Sequence, residues 1–213
     1  MLVLRRRSFL LAAASAAALP ATPALAETAS REFLIRRDGS DIGRHSLTAQ
    51  LGPDGFQIEI VIDIVVRVLG IPAYRYELEN REVWQGGRLV RLDSRVNDDG
   101  DEAFARVRAE GDTLAIEGSD GTASAPLDSA TTSYFSAALM TRRPWISTQS
   151  GRVLDVSVKE AAPGRFRTSG DLETTLIYDG DEWVGCEFDA GGELASYETL
   201  SSSGTIAGLW ASA

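Results

Sequence analysis

Between Gly55 and Leu69, Phe56, Ile58, Ile60, Ile62, Ile64, Val66 and Val68 fall on one face of an extended chain, with Gln57, Glu59, Asp63 and Arg67 on the other. A period of two sustained over about 13 residues, rich in β-branched side chains, specifies a strand. At about 3.3 Å per residue it is roughly 43 Å long. A strand of that length in a small domain has to bend. The pattern therefore predicts a mainly β protein: a strongly curved antiparallel sheet, half-barrel or barrel.

The next segment allows register to be argued from chemistry. Tyr74, Tyr76, Leu78, Glu82 and Trp84 share one face, and Arg75, Glu77, Glu79 and Arg81 the other, before a turn at Gly86-Gly87. A three-residue loop, Gly86-Gly87-Arg88, sets Trp84 against Val90, Leu78 against Val96, Arg81 against Asp93 and Glu79 against Arg95. A two-residue loop sets Leu78 against Arg95 and Arg81 against Leu92, so pairing preferences predict the three-residue hairpin.

Turn signals recur at strand-like intervals, among them Asp38-Gly39, Asp98-Asp99-Gly100, Asp120-Gly121, Asp179-Gly180 and Gly191-Gly192, so hairpins dominate. Tyr134, Phe135, Ala138 and Leu139 recur at helical spacing behind the capping candidates Asp128 and Ser129, which predicts one short helix over Ser129–Met140 packed against the sheet. Hairpins then resume over Val153–Lys159, Gly164–Ser169, Leu172–Tyr178, Glu182–Asp189 and Leu194–Leu200. From about residue 201 the Ser/Gly/Ala-rich sequence reads as a flexible tail, apart from Leu209-Trp210. No linker divides the chain, and residues 27–213 read as a single domain whose 44% hydrophobic content supports a real core. Cys186 is the only cysteine, so stability rests on packing rather than on disulfides.

Residues 1–26 read as a cleavable export signal. Arg5 to Arg7 form a basic start, Phe9–Leu19 an apolar run of about 11 residues, too short to span a membrane, and Ala24-Leu25-Ala26 a cleavage site. Arg6-Arg7-Ser8-Phe9-Leu10 resembles the twin-arginine signal, with Arg5 where Ser or Thr is usual and Leu11 where Lys is common; the general secretory route is the alternative. Export machinery and signal peptidase are the partners this implies, with cleavage after Ala26 and a periplasmic location. The segment holds three arginines and no acids, so the exported chain is more acidic than the −10 of the whole. Such a surface repels nucleic acid and anionic headgroups and favours a soluble monomer without a transmembrane segment.

The stretches Gly70-Ile71-Pro72-Ala73-Tyr74-Arg75-Tyr76-Glu77, Glu82-Val83-Trp84, Asn97-Asp98-Asp99-Gly100, Ser133-Tyr134-Phe135, Thr148-Gln149-Ser150-Gly151 and Tyr178-Asp179-Gly180-Asp181-Glu182-Trp183-Val184-Gly185 together resemble a family of exported proteobacterial proteins known as a domain of unknown function. Phe135 stands where that family more often has Trp, and Ser150 is a smaller departure. The resemblance implies an exported, mostly β architecture similar to the half-barrel envelope proteins that cup an apolar ligand. It implies no activity and no catalytic residues.

Glu82 is the leading site candidate, because alternation puts a carboxylate on an apolar face where it needs a partner. It reads either as a polar anchor or proton donor in an apolar cup, or as half of a structural ion pair with an arginine across the barrel, or as a strand end near solvent. Tyr74, Tyr76, Trp84, Tyr134, Phe135 and Trp145 read as core packing or as the lining of a ligand pocket. Asn97–Glu102 is rich in oxygen ligands, but aligned on Gly100 the calcium-loop pattern meets Arg95 and Arg106 where it needs acids, so an acidic turn is expected. His45 is the only histidine and reads as a strand residue, and Cys186 as a small buried hydrophobe. No nucleophile, metal or nucleotide motif is present, and no cofactor is called for. The expectation is a non-enzymatic periplasmic module holding an apolar or amphipathic ligand, such as a lipid, in a concave sheet. The alternatives are a structural or interaction protein of the envelope, and a carboxylate-dependent glycan hydrolase, which needs two acids about 5–9.5 Å apart.

Overall fold

The computed structural model describes residues 27–212, so the export signal read in residues 1–26 lies outside the described residues. Eight strands follow one another through hairpins: β1 (Thr28–Arg37), β2 (Ser40–Gly52), β3 (Gly55–Val68), β4 (Ile71–Gln85), β5 (Arg88–Asp98), β6 (Asp101–Glu110), β7 (Thr113–Gly118) and β8 (Gly121–Pro126). Residues 127–155 carry only short pieces: β9 (Ala130–Thr131), a 3-10 turn at Ala137–Thr141, β10 (Trp145–Ile146) and β11 (Val153–Leu154). Then come β12 (Val156–Ala162), β13 (Arg165–Gly170), β14 (Thr175–Asp179), β15 (Glu182–Asp189), β16 (Leu194–Ser203) and a short helix α1 (Ile206–Ala211).

Thirteen of the strands make one antiparallel sheet in the order β12-β13-β14-β15-β16-β1-β2-β3-β4-β5-β6-β7-β8. Because β16 pairs with β1, the two runs of hairpins join in the middle of the sheet, and β8 and β12 are its free edges. The sheet is an open, curved half-barrel of the class that the long strand requires. Alternation sorts its two faces. Phe33, Leu47, Phe56, Ile58, Leu78, Leu92, Val107 and Ile116 are buried on the inner face, while the outer face carries paired charges such as Arg81 with Glu59 and Arg108 with Asp93.

Residues 127–155 join the two free edges and cover the inner face as a strap. Phe135, Leu139, Trp145 and Ile146 of the strap are buried within the same core as the strands. At its far end the strap comes so close to β7 that a side chain at Gly118 would strike the Ser150 carbonyl oxygen, which is why glycine is needed there.

Three sequence-based expectations change. The β4–β5 hairpin keeps the predicted pairs Leu78 with Val96, Glu79 with Arg95 and Arg81 with Asp93, but its loop is the two-residue Gly86-Gly87. A bulge between Val83 and Trp84 places Trp84 opposite Leu89 and restores the register that the three-residue loop was meant to supply. Both turn glycines have positive φ, 53° and 74°, as the tight hairpin turn demands. The helix expected over Ser129–Met140 is only the turn at Ala137–Thr141, capped by the Ser136 hydroxyl, which accepts from the Ala138 N–H. Upstream, Ala130 and Thr131 pair with Trp145 and Ile146, and Tyr134 takes a φ of 57°, so tertiary pairing overrides the helical spacing. Past residue 201, the segment read as a tail runs in β16 to Ser203 and then forms α1, which buries Ile206, Ala207 and Leu209.

The β3–β4 turn is unusual in chemistry, not in geometry. Asp38-Gly39, Asp99-Gly100 and Leu69-Gly70 each form a two-residue turn with positive φ at both positions, but only the last puts leucine where aspartate otherwise stands. A left-handed backbone is unfavourable for a leucine by roughly 1–2 kcal/mol, partly offset by the entropy of a glycine placed there instead. Leu69→Gly is therefore expected to raise stability by about 1 kcal/mol, read as a higher midpoint at unchanged slope in urea unfolding.

Candidate functional site

Two inner-face features hold the site candidates. The first is a polar knot around Glu82, which is wholly buried. Asn80, Glu82 and Trp84 lie two residues apart on β4 and so project side by side. The Asn80 Nδ2 donates to Glu82 Oε1 at 2.9 Å, and the Trp84 Nε1 donates to Oε2 at 2.8 Å. From the strap, the hydroxyls of Thr131 and Ser133 reach the same Oε2 at 3.2 and 3.3 Å, their own oxygens 2.6 Å apart. Burial pushes the Glu82 carboxyl above its usual range, and the four hydrogen bonds pull the other way. Neither an arginine nor a lysine is among these partners. Glu82 thus ties the strap to the sheet through neutral donors rather than through an ion pair, and it does not line the cavity described below.

Beside the knot, an aromatic plug fills one end of the trough. Trp84, Phe135, Phe56 and Trp210 of α1 meet with ring centroids 5.0–5.6 Å apart. The Arg142 guanidinium stands 5.5 Å from the Trp210 ring and 5.9 Å from that of Trp84, and donates to the Gly87 carbonyl at 2.6 Å. The buried Arg31–Glu182 pair, 3.2 Å apart, ties β1 to β15. Glu182 also accepts from the Ala207 N–H of α1 at 2.7 Å.

The second feature is a cavity of about 290 Å³ between the strap and the sheet, toward the other end of the trough. Ile60 and Ile62 of β3 and Leu78 of β4 form one wall, and Trp183, Cys186 and Phe188 of β15 the facing one. His45 of β2 and Tyr197 of β16 lie between them; Thr132, Tyr134 and Thr148 of the strap close over them. The mouth is polar, with Gln149 and Glu173 both exposed. Tyr134 enters the cavity from a left-handed backbone, rare for an aromatic residue. The Tyr178 hydroxyl donates to the Tyr134 carbonyl at 2.9 Å, and the ring sits 5.8 Å from Trp183 and 5.9 Å from Trp145.

His45 is packed against Phe33, Trp183 and Tyr197, with ring centroids 5.2–5.8 Å away, and neither ring nitrogen has a hydrogen-bond partner among the described residues. Burial pushes its pKa down to about 3, so it is neutral at neutral pH. Burial also pushes up the Cys186 thiol and the Tyr134 and Tyr197 hydroxyls, which keeps them protonated. The walls of the cavity are therefore uncharged.

Of the seven residues read from the sequence as candidate ligand contacts, Tyr134 alone lines this cavity, beside His45 and Cys186, which the sequence marked only as a strand residue and a small buried hydrophobe. Glu82, Trp84 and Phe135 come together in the knot and plug, and Trp145 is fully buried beneath the strap with its Nε1 donating to the Arg142 carbonyl. Tyr76 is buried farther along β4, and Tyr74 lies half-buried near Asp98, its hydroxyl pushed up to about 12 chiefly by burial. His45, Ile60, Ile62 and Phe188 are inner-face positions of well-marked strands and were legible as such. Trp183 was not, because β15 bulges at Val184, which lies unpaired between Gly185 opposite Ile177 and Trp183 opposite Tyr178, and this brings Trp183 to the face of Cys186. The acids of Asn97–Glu102 form a tight turn in which the Asn97 Oδ1 accepts from the Gly100 N–H at 2.8 Å.

The family described as Domain of unknown function (DUF6134) matches residues 33–199, from within β1 to within β16. No curated protein and no solved structure matches the chain.

Removing the Glu82 carboxylate leaves the buried Asn80 and Trp84 donors without that acceptor, and of the Thr131 and Ser133 hydroxyls only one can turn to the other. Glu82→Ala is expected to destabilise by roughly 3 kcal/mol. Glu82→Gln keeps an acceptor and is milder. Because the folded carboxyl titrates above the unfolded one, wild-type stability falls as pH rises from the unfolded pKa through the folded one. Glu82→Gln should therefore improve relative to wild type as pH rises, in paired unfolding curves. His45 has the opposite sense. Its folded pKa lies below the unfolded value, so stability is lost as pH falls from about 6.5 toward about 3. His45→Phe should lose less stability than wild type between pH 7 and pH 4, measured by urea unfolding at each pH.

Proposed function

The chain belongs to the family described as Domain of unknown function (DUF6134), and from the cavity beneath its strap we propose that it is a non-enzymatic binding module holding an apolar or amphipathic molecule, such as a lipid. The observation that carries this reading is the cavity itself: about 290 Å³, walled by Ile60, Ile62, Leu78, Trp183 and Phe188, with Gln149 and Glu173 at its mouth. Its volume stands at the low end of the roughly 300–1,000 Å³ usual for ligand pockets. An apolar interior with a polar mouth matches a ligand whose apolar body is buried and whose polar end faces water. Export to the periplasm through the signal read in residues 1–26 is part of the same proposal, and would put the cavity within reach of envelope lipids.

The two alternatives have less support. Among the described residues, Glu173 is the one carboxylate lining the cavity, whereas glycan cleavage needs two acids facing one cleft. A hollow of about 500 Å³ on the outer face is larger, but its charges already serve one another, as in Arg81 with Glu59 and Arg91 with Asp93. An interaction role through that face would have to displace these pairs.

Native mass spectrometry of the protein isolated from its own cells tests the reading, with Ile62→Trp as the comparison. Ile62 is half-buried on the cavity wall, so the indole should occupy the space at an overpacking cost of about 1–3 kcal/mol. The expected result is a small-molecule adduct on the wild-type protein that Ile62→Trp lacks. A wild-type protein free of adduct that also fails to take up a fluorescent fatty acid would end the proposal.

A further inference from the structure

The β3–β4 hairpin outruns both of its neighbours. Pairing with β2 stops at Ile64 opposite Gly43, and pairing with β5 stops at Tyr76 opposite Asp98. At the base the Asp99 N–H still donates to the Arg75 carbonyl at 2.7 Å, and beyond it Val66–Ala73 runs on past both neighbours as a two-stranded ribbon roughly 12 Å long, at about 3.3 Å per residue. Its apex is apolar and exposed: Val68 retains 58%, Ile71 70% and Leu69 98% of its accessible surface. From Ile64 to Tyr74 the only charge is Arg67, in a chain of net charge −10. The apex also holds Leu69 in the left-handed conformation that the equivalent turns give to Asp38 and Asp99. A leucine 98% exposed, the most exposed large apolar side chain among the described residues, is thus kept there against both solvation and backbone preference, which marks it as functional.

We propose that this hairpin tip, Val68–Pro72, docks the protein on a lipid surface by inserting its apolar side chains among the acyl chains. The shape favours a bilayer over a protein partner. A stable protein interface takes about 800 Å² from each side, whereas this is a narrow apex with apolar side chains all round it, suited to a medium that can surround it. The charge points the same way: the tip carries no acid, and Arg67 stands at the depth of a headgroup phosphate while the acidic body stays in water. On the inner face, the pairs Ile62–Leu78, Ile64–Tyr76 and Val66–Tyr74 form an apolar stripe from the cavity wall toward the tip. Docking does not depend on that cavity holding a ligand.

Flotation with phosphatidylcholine vesicles, using protein isolated from its own cells, tests this. Leu69→Asp should fold as wild type, because aspartate already occupies the same conformation at Asp99. It should lower the vesicle-bound fraction at least fivefold. Leu194→Asp, at a leucine 64% exposed elsewhere on the molecule, should change it less than twofold. Ile62→Trp should float as wild type, which separates docking from cavity binding. The proposal is overturned if wild-type protein does not float, if Leu69→Asp floats undiminished, or if Leu194→Asp loses as much. It is equally overturned if sedimentation shows that Leu69 instead holds together a dimer that Leu69→Asp dissolves.

Discussion

An open sheet with one apolar face has to have that face covered, and here the cover is the segment that joins the sheet's own two edges. Residues 127–155 leave β8 at Pro126 and enter β12 at Val156, lying across the inner face on the way. Burial of Phe135, Leu139, Trp145 and Ile146 then completes a core that the strands alone could not close. The cavity is the part of the trough that this strap spans without filling.

The strap is irregular, so it cannot satisfy its polar groups by long ladders and depends on specific ties. Glu82 is the central one. A fully buried carboxylate is an unfavourable way to gain stability, but its four donors come from both layers and have one good arrangement. The knot therefore sets the position of the strap on the sheet. Arg142 of the strap, between Trp84 and Trp210, does the same work at the closed end, where Glu182 joins β15 to Arg31 of β1 and to α1. Toward the other end the strap crosses His45, Trp183 and Tyr197, whose ring atoms pack without polar ties, and there the space remains.

Strand structure was legible wherever side chains alternate against one another. The period-two run of β3 and the charge and apolar pairing of β4 with β5 predicted the observed partners from Leu78 to Glu82, because a one-residue slip would turn every side chain to the wrong face. The exact loop was less legible, since a bulge and a longer turn produce the same register farther down. The candidate site was legible in part. Glu82 on the inner face and the neighbouring Trp84 could be read, but not that Thr131 and Ser133 would complete the knot from 49 and 51 residues away. Helical spacing over Tyr134, Phe135, Ala138 and Leu139 misled, because those residues answer to packing beneath the strap rather than to one helix face.

By itself the sequence determined the mainly β class, the length and curvature demanded by β3, the inner and outer faces of most strands, and the family to which residues 33–199 belong. These follow from local periodicity and nearest-strand chemistry, which act over a few residues. Only the tertiary structure decided that the sheet stays open, that the connection between its edges becomes its cover, and that the cavity forms around Tyr134 and Trp183 rather than around Glu82 and Trp84. Those outcomes depend on contacts between segments far apart in the chain and on bulges that shift a face by one residue, for which no local pattern exists.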